Sequence, residues 1–348
     1  MSLASRPSEN SPMRGAILGF GNVAIHAHLP LWKANGHVRI EAVLEPNPRQ
    51  AELARKLLPN AQIYSEIALL LRNHDLHFAD ICTPPCFHGN LLLQVCQSGL
   101  DVFCEKPLVT SWKSLREVEE IAEKSERVIF TVNNWKFAPL WAKAIQLINE
   151  GEIGAVQSVS LTVLRSSGSG GGVSDWRRCP EVAGGGILFD HGWHHMYLIL
   201  SMMREVPLSV SAKMEYSKAF HLEEIADVVV RFPNAEAHLH LTWRAPYRRN
   251  FGTITGDRGT ILLNDDHLIL KPDGVSARRY DFPEALSKGS HHPEWMKPVI
   301  DDFFQEVHGQ KGRGANLREG KWCAQLIFSA YQSHREGSRF IPVGDQTV

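Results

Sequence analysis

The sequence lacks an apolar run long enough to cross a bilayer: its longest apolar stretch of interest, Met196–Met203, falls far short of the roughly 20 residues a membrane helix needs. Residues 1–13 are polar and carry no apolar core of the kind a secretion signal requires. Neither sign of charge dominates, since 37 Lys and Arg face 38 Asp and Glu for a formal net charge of −1. That balance excludes the strongly basic footprint of a nucleic-acid binder. Cysteine is sparse, and Cys82, Cys86, Cys96, Cys104, Cys179 and Cys323 form no paired framework. Reduced thiols in a cytoplasmic protein are therefore expected, without disulfides. Cys82 and Cys86 flank two prolines and have no second pair, so they read as small buried residues, and no metal site is expected.

What is present is ordinary for a folded protein: 43% apolar and 22% charged residues over 348 positions, a length that favours two cores over one. After a tail over residues 1–13, short apolar runs at 16–18, 40–44, 78–82, 101–104 and 128–132 alternate with helical stretches such as 49–58 and 111–124. This alternation predicts an α/β N-terminal domain over residues 14–132, a doubly wound parallel sheet of the Rossmann type. Beyond Val132 the texture changes. A helix over 139–149 precedes strand pairs 226–232/236–243 and 251–255/260–263, each joined by a short turn. Residues 133–348 are thus expected to form an α+β domain on a large, mainly antiparallel open sheet. A late helix near 317–336 is expected to pack back on the first domain, and Ser166 to Gly172 reads as a mobile loop.

Parallel sheets of this kind bind ligands beyond the carboxyl ends of their strands, so the loops after Leu18, Leu44, Cys82 and Cys104 carry the expected chemistry. The first is Gly19-Phe20-Gly21-Asn22-Val23-Ala24, running from a strand into a helix. Gly19 permits a tight turn, Gly21 lets backbone approach a pyrophosphate, and Ala24 lets helix pack on sheet. Glu45 ends the next strand about 20 residues on, where a carboxylate accepts from ribose hydroxyls and repels a 2′-phosphate, so NAD is expected rather than NADP.

In Cys104-Glu105-Lys106-Pro107, proline holds Lys106 in an extended conformation at the end of its strand. Together with Thr83-Pro84-Pro85-Cys86-Phe87-His88 and Gly184-Gly185-Gly186-Ile187-Leu188-Phe189-Asp190-His191-Gly192-Trp193-His194, this resembles the Gfo/Idh/MocA family of glucose-fructose and inositol dehydrogenase-like oxidoreductases. The resemblance spans roughly Arg14 to Val343. It implies a catalytic group of Lys106, Asp190 and His194. It also implies that Gly19, Phe20, Gly21, Asn22, Val23, Glu45, Thr83, Pro84, His88, Glu105 and Lys106 line the cofactor. Independently, Asp190 and His194 are spaced i, i+4, which puts both on one face if the segment is an α-helix. Where the family more often has arginine, this chain has Lys136, which lacks the planar fork.

The expected reaction is hydride transfer between nicotinamide and a secondary alcohol or ketone of a sugar, cyclitol or nucleotide-sugar. His194 takes the hydroxyl proton, Lys106 stabilises the substrate oxygen and Asp190 orients; whether Lys106 or His194 moves the proton stays open. Lys136, Trp176, Arg177 and His195 are candidate substrate contacts, the arginine suiting an acidic substituent. The expected partner is a small polyhydroxylated molecule, an acidic one included, with neither nucleic acid nor membrane. The broad sheet suggests a homo-oligomer, dimer or tetramer. The competing reading is a non-catalytic NAD(P)-binding sensor of the same fold, since fold alone does not imply turnover.

Overall fold

The computed structural model describes residues 12–73, 75–166, 175–289 and 292–344. The tail expected over 1–13 lies outside them except for its last two residues, and Met13 already begins the first strand. The glycine-rich loop after Ser166 also lies outside the described residues. The chain divides into two compact units, Met1–Asn134 with Ser290–Gly320, and Trp135–Gly289 with Lys321–Val348.

In the first unit β1 (Met13–Leu18), β2 (Val38–Leu44), β3 (Gln62–Tyr64), β4 (Phe78–Ile81), β5 (Asp101–Cys104) and β6 (Ile129–Thr131) form one sheet in the order β3-β2-β1-β4-β5-β6. Every pair is parallel. The order reverses beside β1, which makes the gap between the loops after β1 and β4 the ligand crevice of a doubly wound sheet. The crossover elements are α1 (Leu29–Ala34), α2 (Pro48–Leu57), α3 (Ile67–Asn73), α4 (His88–Gln97) and α5 (Trp112–Lys124). Two of them start on side-chain caps, Asn47 accepting from the amides of Arg49 and Gln50, and Ser111 from that of Ser114.

Phe78, Phe103 and Phe130 of the sheet meet Trp32 of α1 and Phe303 in an aromatic core, with Phe103 and Phe303 centroids 5.3 Å apart. Phe303 lies on α9 (Met296–Val307), so residues far along the chain complete the first unit, whereas a boundary at 133 assigns them to the second. No periodicity reports this return, because α9 is amphipathic whichever core it faces.

The second unit holds α6 (Pro139–Asn149), β7 (Val156–Ser166), the single turn α7 (Pro180–Ala183), α8 (Trp193–Met203), β8 (Ser209–Tyr216), β9 (Glu223–Arg231) and β10 (Glu236–Thr242). There follow β11 (Arg244–Gly256), β12 (Gly259–Asn264), β13 (His267–Pro272) and β14 (Arg278–Asp281). The chain re-enters this unit within α10 (Ala315–Arg335) and ends on β15 (Ile341–Pro342). The strands form a nine-stranded sheet, β14-β13-β12-β11-β7-β10-β9-β8-β15. It is antiparallel except for β7 with β10. Val159, Leu161 and Val163 alternate to the buried side of central β7. Helix α8 is apolar nearly all round, as a helix enclosed on every side must be. Among the described residues no helix is long and apolar enough to cross a membrane.

Replacing Phe303 by Ala removes the ring that joins three strands' aromatics and should destabilise the first unit by about 3–5 kcal/mol. Denaturant unfolding followed by tryptophan fluorescence measures this, the first unit's transition moving to lower denaturant.

Candidate active site

In the first unit β1 runs directly into the glycine turn. Gly19 has φ +89°, and a Cβ there would lie 2.9 Å from the Thr83 amide nitrogen, so conformation and crowding both demand glycine. Its amide donates to Leu44 O at 2.8 Å. A Cβ on Gly21 would meet no protein atom within 4 Å. Packing therefore does not explain that glycine, and the space it keeps clear is the approach a pyrophosphate needs. Asn22 and Val23 open a helical run that differs from the expected plain α-helix: Ala24–His28 is a π turn before α1, with Ala24, Ala27 and His28 buried together. His28 closes the turn with its side chain fully buried.

Glu45 is more tightly held than a bare strand-end charge: one carboxylate oxygen accepts from the Phe20 amide and the other from the Asn47 amide, each at 2.8 Å. Thr83 Oγ1 is buried with no hydrogen-bond partner among the described residues, beside the glycine turn. Pro84 leads into the short turn Pro85–Phe87. His88 is buried and spans the loops after β4 and β5, with Nδ1 2.8 Å from Pro107 O and Nε2 2.8 Å from Thr83 O. Burial lowers its pKa against the pull of both carbonyls. It acts as a clamp behind the loops. Glu105 accepts from the Lys106 amide at 3.0 Å and from His28 at 2.9 Å. The clear space over Gly21, the orphaned Thr83 hydroxyl and the fixed Glu45 carboxylate fit a dinucleotide.

In the second unit the triple glycine has three separate reasons. Gly184 ends α7 at φ 84°, a Cβ on Gly185 would strike the Tyr331 hydroxyl and the Phe189 ring, and one on Gly186 would strike the Glu223 carbonyl. Glu223 then holds the segment. Its Oε1 accepts from the amides of Gly186 (2.8 Å) and Leu188 (3.0 Å) and from the Tyr331 hydroxyl (2.6 Å). Burial pushes the Glu223 carboxyl up even against those bonds. Leu188–Gly192 is again a π turn, and it carries half-exposed Asp190; α8 begins only at Trp193. The i, i+4 relation of Asp190 and His194 thus runs through a widened turn and not a uniform α-helix.

His194 is 7% exposed, its ring stacked on Trp135 with centroids 5.0 Å apart and its Nδ1 2.8 Å from the Tyr197 hydroxyl. That hydroxyl also accepts from the Trp135 amide at 3.0 Å. His195 is a buried core residue bonded to His191 O at 2.9 Å, and burial draws its pKa down to about 4, leaving it neutral. Lys136 sets its ammonium 6.0 Å from the Tyr197 ring centre. Arg177 lies exposed over Trp176 at 4.4 Å, with Asp175 3.4 Å away. Within the first unit the glycine turn meets Glu45 through the Phe20 amide and Thr83 through the close approach of Gly19; in the second, Asp190 and His194 lie four residues apart across the end of the π turn. Sequence reading missed His28, Asp80, Tyr197, Glu223 and Tyr331. The spacing of Tyr197 three residues after His194 was a usable signal, while the others act on partners far along the chain.

A Rossmann unit with this turn, followed by a second unit on an open, mainly antiparallel sheet, is the architecture of an NAD(P)-dependent oxidoreductase. The chain belongs to the Gfo/Idh/MocA family: residues 13–134 match the oxidoreductase family NAD-binding Rossmann fold, and residues 141–262 the GFO/IDH/MocA C-terminal domain. It is 27% identical to D-glucoside 3-dehydrogenase of Escherichia coli, over 95% of this chain and 97% of that protein. It is 26% identical to an uncharacterised oxidoreductase of Schizosaccharomyces pombe over 66% of this chain, spanning 63% of that protein's length. Among solved structures, levoglucosan dehydrogenase in complex with NADH and levoglucosan superposes with a TM-score of 0.83 at 20% identity, over 96% of this chain and 100% of that one.

Gly21→Ala separates cofactor approach from folding. The added methyl touches nothing in the protein, so thermal stability should hold while NADH, followed by its fluorescence, binds about tenfold or more weakly. Gly19→Ala should lose both.

Proposed function

We propose that this protein oxidises a secondary alcohol of a sugar, cyclitol or nucleotide-sugar, or reduces the matching ketone, with His194 as the proton-transfer group. The observation that carries the reading is the setting of His194: stacked on Trp135, bonded through Nδ1 to Tyr197, four residues after Asp190. A general base needs one ring nitrogen fixed and the other carrying a lone pair. When Nδ1–H donates to the Tyr197 oxygen, Nε2 is left to take the proton of the substrate hydroxyl. Asp190 then orients the substrate and favours the imidazolium that forms. Lys106 donates a hydrogen bond to the substrate oxygen and stabilises negative charge developing there. Bound NAD supplies the carbon that exchanges hydride.

The sugar class is supported by the names of the relatives, D-glucoside 3-dehydrogenase and levoglucosan dehydrogenase. Trp176 offers an apolar face to a sugar ring, and Arg177 and Lys136 are the cations that would meet an acidic substituent; His195, neutral and enclosed, takes no such part. Six cysteines with no disulfide among the described residues fit a cytoplasmic enzyme, and the open sheet of the second unit fits a homo-oligomer.

Purified protein with NAD and a panel of pyranosides, anhydrosugars, sugar acids and nucleotide-sugars should reduce NAD, read at 340 nm. His194→Ala should lower kcat by about 10²-fold or more while NADH affinity stays unchanged. Retained turnover in that variant rejects the base assignment. NAD binding without turnover of any panel member turns the reading toward a sensor.

A further inference from the structure

One buried polar cluster of the first unit takes no part in the roles assigned above. His28, at the end of the π turn, has no exposed surface. Its Nδ1 lies 3.0 Å from each carboxylate oxygen of Asp80, and its Nε2 lies 2.9 Å from Glu105 Oε1. Trp32 Nε1–H donates to Asp80 Oδ2 at 2.6 Å, and Cys82 Sγ is 3.4 Å from both His28 Nδ1 and Asp80 Oδ1. The other oxygen of Glu105 accepts from the Lys106 amide at 3.0 Å.

Carboxylate oxygens accept, so a ring with a carboxylate on each nitrogen satisfies both partners only with two N–H groups, as an imidazolium. Burial opposes that charge, but Asp80, with Cys82, holds the His28 pKa well above the ordinary histidine range. Burial likewise works to raise Glu105, and the hydrogen bond and charge of His28, with Lys106, outweigh it and hold the carboxyl below its usual range. The groups that face Glu105 are His28 from the π turn, Cys82 from the loop after β4, His88 from α4, and Cys104 and Lys106 from its own strand end. His28 hydrogen-bonds the Glu105 carboxylate through Nε2 at 2.9 Å. The far end of the cluster is closed, because Asp80 is fully buried and capped by Trp32. A proton on the ring therefore has no exit through Asp80, and the cluster is a fixed charge and not a proton path.

We propose that His28 is a positioning residue of this oxidoreductase: clamped between Asp80 and Glu105, it keeps the Glu105 carboxylate on the Lys106 amide and so fixes the lysine and the negative charge beside it. The functional half of this proposal rests on the role given to Lys106 above. His28, Asp80 and Cys82 also set potential metal-ligand atoms within 4.8 Å of one another. A metal would need the Nδ1 lone pair, which the clamp uses as an N–H donor, so the two uses exclude each other.

The first test needs no substrate. In NAD-saturated protein labelled with ¹⁵N-histidine, the ring signals lost in His28→Gln identify His28, and both nitrogens should carry protons near pH 8. A singly protonated His28 ring near neutral pH, or stoichiometric tightly held zinc in the purified protein, overturns the proposal. In the same His28→Gln protein the Glu105 carboxylate loses its clamp, so the Lys106 amide it accepts from should exchange its hydrogen about tenfold or more faster than in the wild type. Unchanged exchange overturns the link to Lys106 even if no sugar is turned over.

Kinetics supply the third reading. In His28→Gln burial dominates at Glu105 and raises its pKa, and the carboxylate is present above that pKa and lost as pH falls through it. With the best sugar of the panel, kcat should stay within about threefold of wild type near pH 9 and drop a further tenfold or so near pH 6, KM for NAD changing little. Equal losses at both pH values mark a merely structural role and overturn the proposal.

Discussion

A buried imidazole with a carboxylate on each ring nitrogen cannot shift without stranding a charge in the interior, and that constraint organises the cofactor end of the first unit. His28 comes from the turn after β1, Asp80 from β4, and Glu105 from the strand end beyond β5. The three strand ends that must meet a dinucleotide are thereby tied to one another through side chains. His88 also sits between the loops after β4 and β5, with a carbonyl of each at 2.8 Å from one of its ring nitrogens, and its neutral ring donates to one of the two. Against these ties the tight approach of Gly19 to Thr83 becomes a rigid feature. A binding turn that keeps its shape before ligand arrives loses less conformational freedom on binding.

The second unit solves a similar problem with one carboxylate. Glu223 reaches from β9 to collect two amides at the start of the π turn and the hydroxyl of Tyr331 from α10. Those amides begin a helical segment and have no intrahelical partner, so a buried acceptor is required there. Gly185 and Gly186 are small because Tyr331 and Glu223 come so close. Asp190 and His194 are presented on a segment whose start is fixed from two other elements, and Tyr197 and Trp135 then fix the His194 ring.

What could be read from the sequence follows from this arrangement. The Gly19 turn, Lys106 before its proline, and the Gly184 to His194 run are each recognisable within a dozen residues, even though the packing that requires their glycines comes from Thr83, Glu223 and Tyr331 far along the chain. The parallel and antiparallel sheets were equally legible, since strand alternation and crossover helices repeat along the chain. His28 and Glu223 were not, because their partners lie 52, 77 and 108 residues away and nothing in the neighbouring sequence marks them. Both π turns escaped for a related reason: residues 24–28 and 188–192 have helical texture, and the widened geometry is imposed by what must be buried. The return of α9 to the first unit was hidden in the same way, its apolar face being suited to either core.

Glu45 shows how a structural tie and cofactor choice become one property. Its two oxygens accept from the amides of Phe20 and Asn47, so the carboxylate is anchored between the glycine turn and the start of α2 and cannot swing aside. A carboxylate has about four acceptor sites, so two remain for ribose hydroxyls. A 2′-phosphate would instead meet a negative charge whose displacement breaks a bond to the cofactor turn itself. The carboxylate proposed to discriminate against a 2′-phosphate is therefore held by the same bonds that hold the turn in place.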